Sequence, residues 1–238
     1  DYYKFMAFFN NTRDEDMPGE YPVLREFDAA DQEKYEALQK WLVTNATKEQ
    51  TNEITTLLKT WQPAVYSYHA DKFVNSELAE VYLALRKNAQ CRLPDVDINN
   101  RSKIIYRYSN GVEKGVWTIR LDSINGPVIA SATVATTKGW GLGTIDITPQ
   151  QGRHDLYFTY SNPDVPAKDS LRNLVTFDWF AFTTAFPGKG SAGYDSAYAY
   201  YKHLFTTSPK VQTPVMMENP SNMFRATHIF ERGNWLSK

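Results

Sequence analysis

This chain of 238 residues has one cysteine, almost no net charge and no long apolar run. The single cysteine, Cys91, cannot form an intramolecular disulfide, so cysteine usage leaves the redox compartment open. Lys and Arg total 26 against 27 Asp and Glu, and the resulting net charge of −1 supplies no general attraction for nucleic acid or anionic membranes. No apolar run approaches the roughly 18 residues that a membrane span needs. We therefore expect a globular protein that binds no nucleic acid and does not span a membrane.

Enzyme motifs are missing as well. The four histidines lie in different predicted elements, at no spacing that would pair them on a metal: His69, His154, His203 and His228. His154 and Asp155 are neighbours on a predicted strand, where they point to opposite faces. The chain has no nucleophile elbow, phosphate loop or dinucleotide fingerprint. These absences predict a protein without catalytic activity.

The ends of the chain resemble cut points. It starts at Asp1 without a methionine or a signal sequence, and it stops at Lys238 without an obvious terminal element. We expect a segment of a longer protein. The missing signal then says nothing about localisation.

Two helices are predicted in an N-terminal flank that covers residues 1–62. Asp28 is an N-cap candidate before a stripe of apolar residues at helical spacing. Thr47 and Gln50 form a capping-box pattern, and the apolar stripe that follows runs to Trp61. The two segments predict an αα-hairpin.

From residue 63 onward the apolar period changes to two, which is typical of strands. β-branched and aromatic residues fall in short runs separated by turn pairs such as Asn110-Gly111. The candidate strands are residues 65–73, 79–86, 90–98, 103–109, 115–122, 128–134, 142–147, 153–160 and 174–183. The pattern predicts a mainly β protein with an antiparallel, jelly-roll-like β-sandwich over residues 63–184.

A C-terminal flank is predicted over residues 185–238. It begins with a helix whose apolar positions recur at helical spacing: Tyr194, Ala197, Tyr198, Tyr201, Leu204 and Phe205. An irregular segment rich in proline follows. We interpret it as the start of a following domain.

Trp140 is the residue whose position most favours a function. Gly139 and Gly141 flank it in a connection between predicted strands, and loops often carry binding residues. A flat, exposed indole suits the apolar C–H face of a sugar ring. The alternative is a tryptophan folded down over the end of the sandwich.

Three ordered motifs resemble family 6 carbohydrate-binding modules. They are residues 137–140 (Thr-Lys-Gly-Trp), 152–158 (Gly-Arg-His-Asp-Leu-Tyr-Phe) and 176–182 (Thr-Phe-Asp-Trp-Phe-Ala-Phe). The resemblance implies a noncatalytic sandwich that binds a polysaccharide or oligosaccharide through loops at one end. It gives Trp140 the stacking role and places Trp179 in the core.

The resemblance also implies further ligand contacts. The family's sugar-binding Asn aligns with Thr176, and nearby Asn173 is a candidate substitute. Tyr82 is the candidate for the second aromatic of the usual pair. Because an amide is lacking at position 176, a second interpretation stays open: a degenerate sugar site on a domain that packs against other domains of the parent protein.

A structural calcium is implied for many members of the family. The Asp of the closing motif is Asp178 here, whereas the expected Glu-x-Glu of the first strand is replaced by His69 and Asp71. The alternative for Asp178 is a carboxylate that accepts hydrogen bonds from local backbone N–H groups.

The flanks are similar to parts of large planctomycete-type proteins with cytochrome c domains and unknown function. The similar segments are residues 2–12, 214–218 and 225–233. This resemblance implies an exported or surface-associated parent, periplasmic or secreted, whose haem domain lies outside the chain. No Cys-x-x-Cys-His motif is present.

Overall fold

The computed structural model describes residues 2, 8–13, 22–60, 65–207 and 209–218. Trp61, residues 3–7 and the segment 225–233 therefore lie outside the described residues. The chain divides into two compact units, one formed by Asp1–Pro63 with Thr207–Lys238 and the other by Ala64–Thr206. The domain boundaries given above stay a prediction.

The described part of the chain contains three α-helices and thirteen strands. The helices are α1 (Ala29–Asn45), α2 (Lys48–Thr60) and α3 (Tyr194–Thr206). The strands are β1 (Thr12–Arg13), β2 (Val23–Glu26), β3 (Val65–Tyr66), β4 (Asp71–Ala79), β5 (Tyr82–Asp97), β6 (Lys103–Asn110), β7 (Val116–Leu121), β8 (Val128–Thr133), β9 (Gly141–Asp146), β10 (Arg153–Ser161), β11 (Val175–Thr183), β12 (Val211–Pro214) and β13 (Met217–Glu218). Short 3₁₀ helices cover Phe8–Asn11, Ser67–His69 and Ala167–Asp169.

The helices of the first unit begin at the predicted caps. The carboxylate of Asp28 accepts a hydrogen bond from the backbone N–H of Asp31 at 2.9 Å. Thr47 and Gln50 bond each other's backbone N–H groups at 3.0 and 3.2 Å, which is a complete capping box. The predicted αα-hairpin is confirmed. Neither helix, nor α3, is long and apolar enough to cross a membrane.

Two short antiparallel pairs join distant segments of this unit. β1 pairs with β13, and β2 pairs with β12. Arg25 in β2 is fully buried and donates to the carbonyl oxygens of Leu58 and Thr207 at 2.7 and 2.8 Å. The first part of the proline-rich segment therefore contains a strand, β12, which pairs with β2.

The second unit is the predicted antiparallel β-sandwich. Its strands follow the order β8-β7-β10-β5-β11-β6-β9, with β3 beside β11 and β4 beside β5. Two layers face each other, because Trp117 of β7 lies 4.8 Å from Phe177 of β11 between ring centres. Phe158 of β10 lies 5.2 Å from Phe180 of β11. All four rings are fully buried, so the core fills the space between the layers.

Strand β5 corrects the predicted strands 79–86 and 90–98. The structure has one strand of 16 residues instead of two. Asn88 has a φ of 55°, a value typical of a turn, but here the strand bends and continues. It can continue because it changes partner: residues 83–85 pair with β11, whereas residues 89–97 pair with β10.

The predicted strand 65–73 is also wrong, because the structure has two strands there instead of one. A 3₁₀ turn at Ser67–His69 divides it into β3 and β4. The buried hydroxyl of Ser67 donates to the carbonyl of Phe177 at 2.6 Å and accepts from the N–H of Leu83 at 3.1 Å. These long-range bonds stabilise the turn, and periodicity alone does not reveal them.

Helix α3 covers the outer face of β6 and β11. Trp179 is fully buried, but it lies on this outer face, where its ring is 6.2 Å from that of Phe205. Ile105 and Ala181 are also buried outside the sandwich core. The predicted burial of Trp179 is correct, although part of its cover comes from beyond the sandwich.

Candidate functional site

Trp140 lies at the end of the connection between β8 and β9 and is 39% exposed. Gly139 before it has a φ of +78°, which a residue with a side chain adopts only with strain. A Cβ on Gly141 would lie 3.0 Å from Cγ2 of Thr137, so this position is tight as well. The two glycines let the chain turn sharply and leave the indole at the surface.

Asn110 fixes this loop to the end of β6. Its buried side-chain amide donates to the carbonyl oxygens of Val134 and Ala135 at 2.9 and 3.2 Å. Its backbone N–H donates to Oγ1 of Thr137 at 3.0 Å, and the backbone N–H of Thr137 donates to the carbonyl oxygen of Asn110 at 2.9 Å. The loop that presents Trp140 is therefore held from both directions.

Tyr82, the candidate for the second aromatic, lies against Trp140. The ring centres are 4.8 Å apart and the planes are inclined by 48°. At this separation the rings touch, so no sugar ring fits between them. Tyr82 and Trp140 form one bent aromatic platform rather than an open clamp.

Arg107 supports the platform from the neighbouring strand. Its guanidinium carbon lies 4.6 Å from the centre of the Trp140 ring, a cation–π distance. The same guanidinium forms an ion pair with the carboxylate of Asp178. Burial raises the pKa of the Asp178 carboxyl, while the charge and hydrogen bond of Arg107 oppose that shift.

The sequence interpretation missed Arg107. Tyr106 and Tyr108 belong to the core cluster, so alternation along β6 does place Arg107 on the outer face. Its contact with Asp178 depends on a register shift in β11 between Phe177 and Trp179. A bulge of this kind has no reliable sequence signal.

Thr176 and Asn173 lie near one another in the chain but have different surroundings. Thr176 is partly exposed on the outer face of β11, opposite Ala84 of β5 and Ser109 of β6. Asn173 precedes the strand and is exposed. It accepts a hydrogen bond from Arg86 at 2.9 Å and donates to Glu77 at 3.1 Å. Hydroxyl, amide and charged groups are therefore all present on this side of the sheet.

The surroundings of Asp178 do not fit a calcium ion. Arg107 already supplies the positive charge at this carboxylate. Asp71, at the position of the missing Glu-x-Glu, is paired with Arg92, whose Nε donates to it at 2.8 Å. Within the described ranges, no three His, Cys, Asp or Glu side chains converge on a common point. Calcium stays an expectation from the resemblance alone.

His154 has an acidic neighbour that the sequence did not indicate. Its Nδ1 lies 2.9 Å from Oδ2 of Asp122 at the end of β7, and its Nε2 lies 3.0 Å from the carbonyl oxygen of Gln151. The hydrogen bond with Asp122 raises the pKa of the imidazole. Because both ring nitrogens have partners, this pair ties two strand ends together and offers no free base.

Comparison with known structures gives remote likenesses. A family 6 module from Clostridium stercorarium in complex with cellobiose is 15% identical and has a TM-score of 0.42, covering 51% of this chain and 93% of that chain. A β-1,3-glucan-binding family 6 module from Bacillus halodurans is 18% identical with a TM-score of 0.43, covering 51% of this chain and 95% of that chain. These scores define no ligand for the present chain.

A larger protein also shows this likeness. A family 43 arabinoxylan arabinofuranohydrolase from Bacillus subtilis, in complex with cellotetraose, is 18% identical with a TM-score of 0.37. The match covers 44% of this chain but only 21% of that enzyme. No curated protein matches the chain.

The family comparison is specific to the sandwich. Residues 68–184 match the model described as carbohydrate binding module (family 6). This stretch contains β4 to β11 and the whole of the Tyr82–Trp140 platform. Residues 68–184 are accordingly a family 6 carbohydrate-binding domain.

Proposed function

We propose that this domain binds a polysaccharide or oligosaccharide on the platform formed by Tyr82 and Trp140. The observation that carries the proposal is the exposure of Trp140, 39% of whose surface remains open although the loop around it is firmly bonded. An exposed indole on a rigid loop can cover the apolar face of a sugar without losing much conformational freedom.

Polar groups beside the platform suit the hydroxyls of a sugar ring. Thr176 and Ser109 lie on the adjacent outer face, and Arg107 already holds the indole from the sheet. A hydroxyl both donates and accepts, so these residues can follow the alternating donors and acceptors of a glycan. We include Asn173 as a sugar contact at the edge of the platform. Its side-chain amide also forms hydrogen bonds with Glu77 and Arg86.

Binding without catalysis is the form of activity that we propose. Asp178 forms an ion pair with Arg107, which contacts the platform, and Asp155 forms an ion pair with Arg92 at 2.7 Å. Carboxylates locked in ion pairs make poor general acids. We further propose that the parent protein is exported, with other domains as partners. The resemblance of its flanks to planctomycete-type proteins supports this view.

A degenerate site on a packing domain is the competing interpretation. It is favoured by Thr176 in place of an amide, but it expects Trp140 to be buried. The exposure of Trp140 next to Tyr82 therefore favours sugar binding.

The test is a glycan-array screen followed by calorimetry on the best ligand. We expect Trp140→Ala to weaken binding at least about tenfold, because a stacked ring contributes about 0.5–1.5 kcal/mol in addition to the area it covers. Phe73→Ala is a matched control, since Phe73 is also 39% exposed and lies on β4 away from the platform. Equal affinities for the two variants, or no glycan bound at all, would contradict the proposal.

A further inference from the structure

A recess lies between helix α3 and the outer face of β6 and β9. Its volume is about 530 Å³, within the range of roughly 300–1,000 Å³ that ligand sites occupy. Strand residues such as Ile105 and Leu142 line one side, and α3 with Phe186 lines the other. The family match ends at residue 184, so the helical wall is not part of the carbohydrate-binding domain.

Three tyrosines form an aromatic ladder along the helical wall. Tyr194, Tyr198 and Tyr201 follow one another on one face of α3, with ring centres 5.8 and 6.3 Å apart and planes within about 22° of parallel. Phe186 contacts each of them, with ring centres at 5.0 to 5.7 Å.

The fully buried residues of helix α3 are not these tyrosines. Its buried residues are Ala197, Leu204 and Phe205, and Phe205 makes the contact with Trp179. The tyrosine rings are only half-buried. They line the recess, and Tyr201 also contacts Phe205, with 5.9 Å between the ring centres.

The lining of the recess carries positive charge. Among the described residues that line it, three are lysines, Lys103, Lys189 and Lys202, and one is acidic, Asp146, which is paired with Lys103. The ammonium of Lys202 lies 4.7 Å from the centre of the Tyr198 ring. In the described part of the chain, no acidic side chain forms an ion pair with Lys189 or Lys202. The excess charge is local, since the whole chain has a net charge of −1.

We propose that this recess, the tyrosine groove, is a second binding site that takes an acidic sugar chain, carboxylated or sulfated. Successive tyrosine faces suit successive sugar rings, and the lysines suit the anionic substituents. Lysine acts as a point charge and does not distinguish a carboxylate from a sulfate by geometry. The groove adjoins the platform, because Leu142 pairs with Arg107 across the strands, but the proposal does not depend on Trp140.

The test is calorimetric titration of the full chain with two matched pairs of probes at low salt. Oligogalacturonate is compared with its methyl ester, and dextran sulfate with dextran. We expect binding of at least one acidic member, at least about tenfold tighter than binding of its neutral partner and weakening as salt rises. The carboxylated and sulfated arms identify the anion that fits.

Variants assign the binding to the groove. We expect the double change Lys189→Gln and Lys202→Gln to weaken acidic binding about tenfold, and Lys202→Arg to leave it nearly unchanged. Tyr198→Ala should weaken it several-fold, and Tyr198→Phe should retain it, because the ring face is what binds. Lys168→Gln is the control, since Lys168 is exposed and lies outside the lining. Unfolding in urea checks that every variant folds.

Three outcomes would overturn the proposal. The first is equal binding of acidic and neutral probes, and the second is acidic binding that the lysine and tyrosine variants leave intact. The third is poly-glutamate binding as tightly as the sugars, which would indicate a site for acidic peptides. Trp140→Ala separates this proposal from the platform, because it should leave the binding of short acidic probes unchanged.

Discussion

At the scale of single residues, Arg107 does most to organise the platform. It stacks on Trp140, and it neutralises a carboxylate that is 7% exposed, so one side chain connects the binding surface with the interior of the sheet. The roles proposed for Trp140 and Thr176 could be inferred from the sequence because each lies in a recognisable motif, whereas Tyr82 lies in none of the three motifs and was only a candidate. The role of Arg107 could not, since it depends on the bulge that turns Asp178 toward β6.

Replacing Arg107 tests this view of the ion pair. Arg107→Ala leaves Asp178 buried without a counter-charge, and we expect unfolding in urea to show a loss of about 3 kcal/mol at pH 7. The loss should shrink as pH falls, because burial raises the pKa of Asp178 and protonation removes the uncompensated charge. The double variant Arg107→Leu with Asp178→Leu should recover most of the stability. A single Ala variant as stable as the wild type would refute the assignment.

At the scale of elements, signals that act over a few residues were the reliable ones. The caps at Asp28 and Thr47 and the turn at Asn110 are local, and the structure has each of them. Strand β5 is different, because its continuity depends on partners in β10 and β11, which are far away in the chain. Propensity at Asn88 indicates a break, and pairing with β10 overrides it.

The tie between β7 and β10 gives a pH prediction at this scale. The hydrogen bond with Asp122 raises the folded pKa of His154 above its unfolded value, so the stabilisation is complete below about pH 6.5 and is lost as pH rises through the folded pKa. The pair is solvent-accessible, and we expect an effect below about 1 kcal/mol between pH 6 and 8.

Urea unfolding of the wild type and of His154→Gln measures this difference. The free energy of unfolding of the variant should show a flatter pH dependence, and Asp122→Asn should resemble it. If the free energies of unfolding of wild type and variant depend on pH in the same way, the His154–Asp122 hydrogen bond does not contribute as proposed.

At the scale of the whole molecule, the sandwich could be predicted but its outer cover could not. Period-two runs and turn pairs indicate strands, and three ordered motifs indicate the family. Nothing local says that α3 lies over Trp179, because an apolar stripe on a helix does not name the surface that it covers. The unit Ala64–Thr206 therefore extends beyond the family match.

Two shortened chains test the contribution of α3. We expect residues 64–206 to unfold cooperatively on heating. Residues 64–190 should be less stable by several kcal/mol or aggregate, because Trp179 and Ile105 become exposed. Equal melting temperatures for the two chains would show that α3 adds nothing to the fold.

The central claim is that a glycan binds on Trp140, and the indole N–H signals in an ¹H–¹⁵N NMR titration test it most directly. Trp117 and Trp179 are fully buried in the same unit and serve as internal references. On adding the glycan selected by the array, the Trp140 signal should shift or broaden in proportion to occupancy, while the other two stay in place. A bound glycan that leaves the Trp140 signal unchanged would contradict the account.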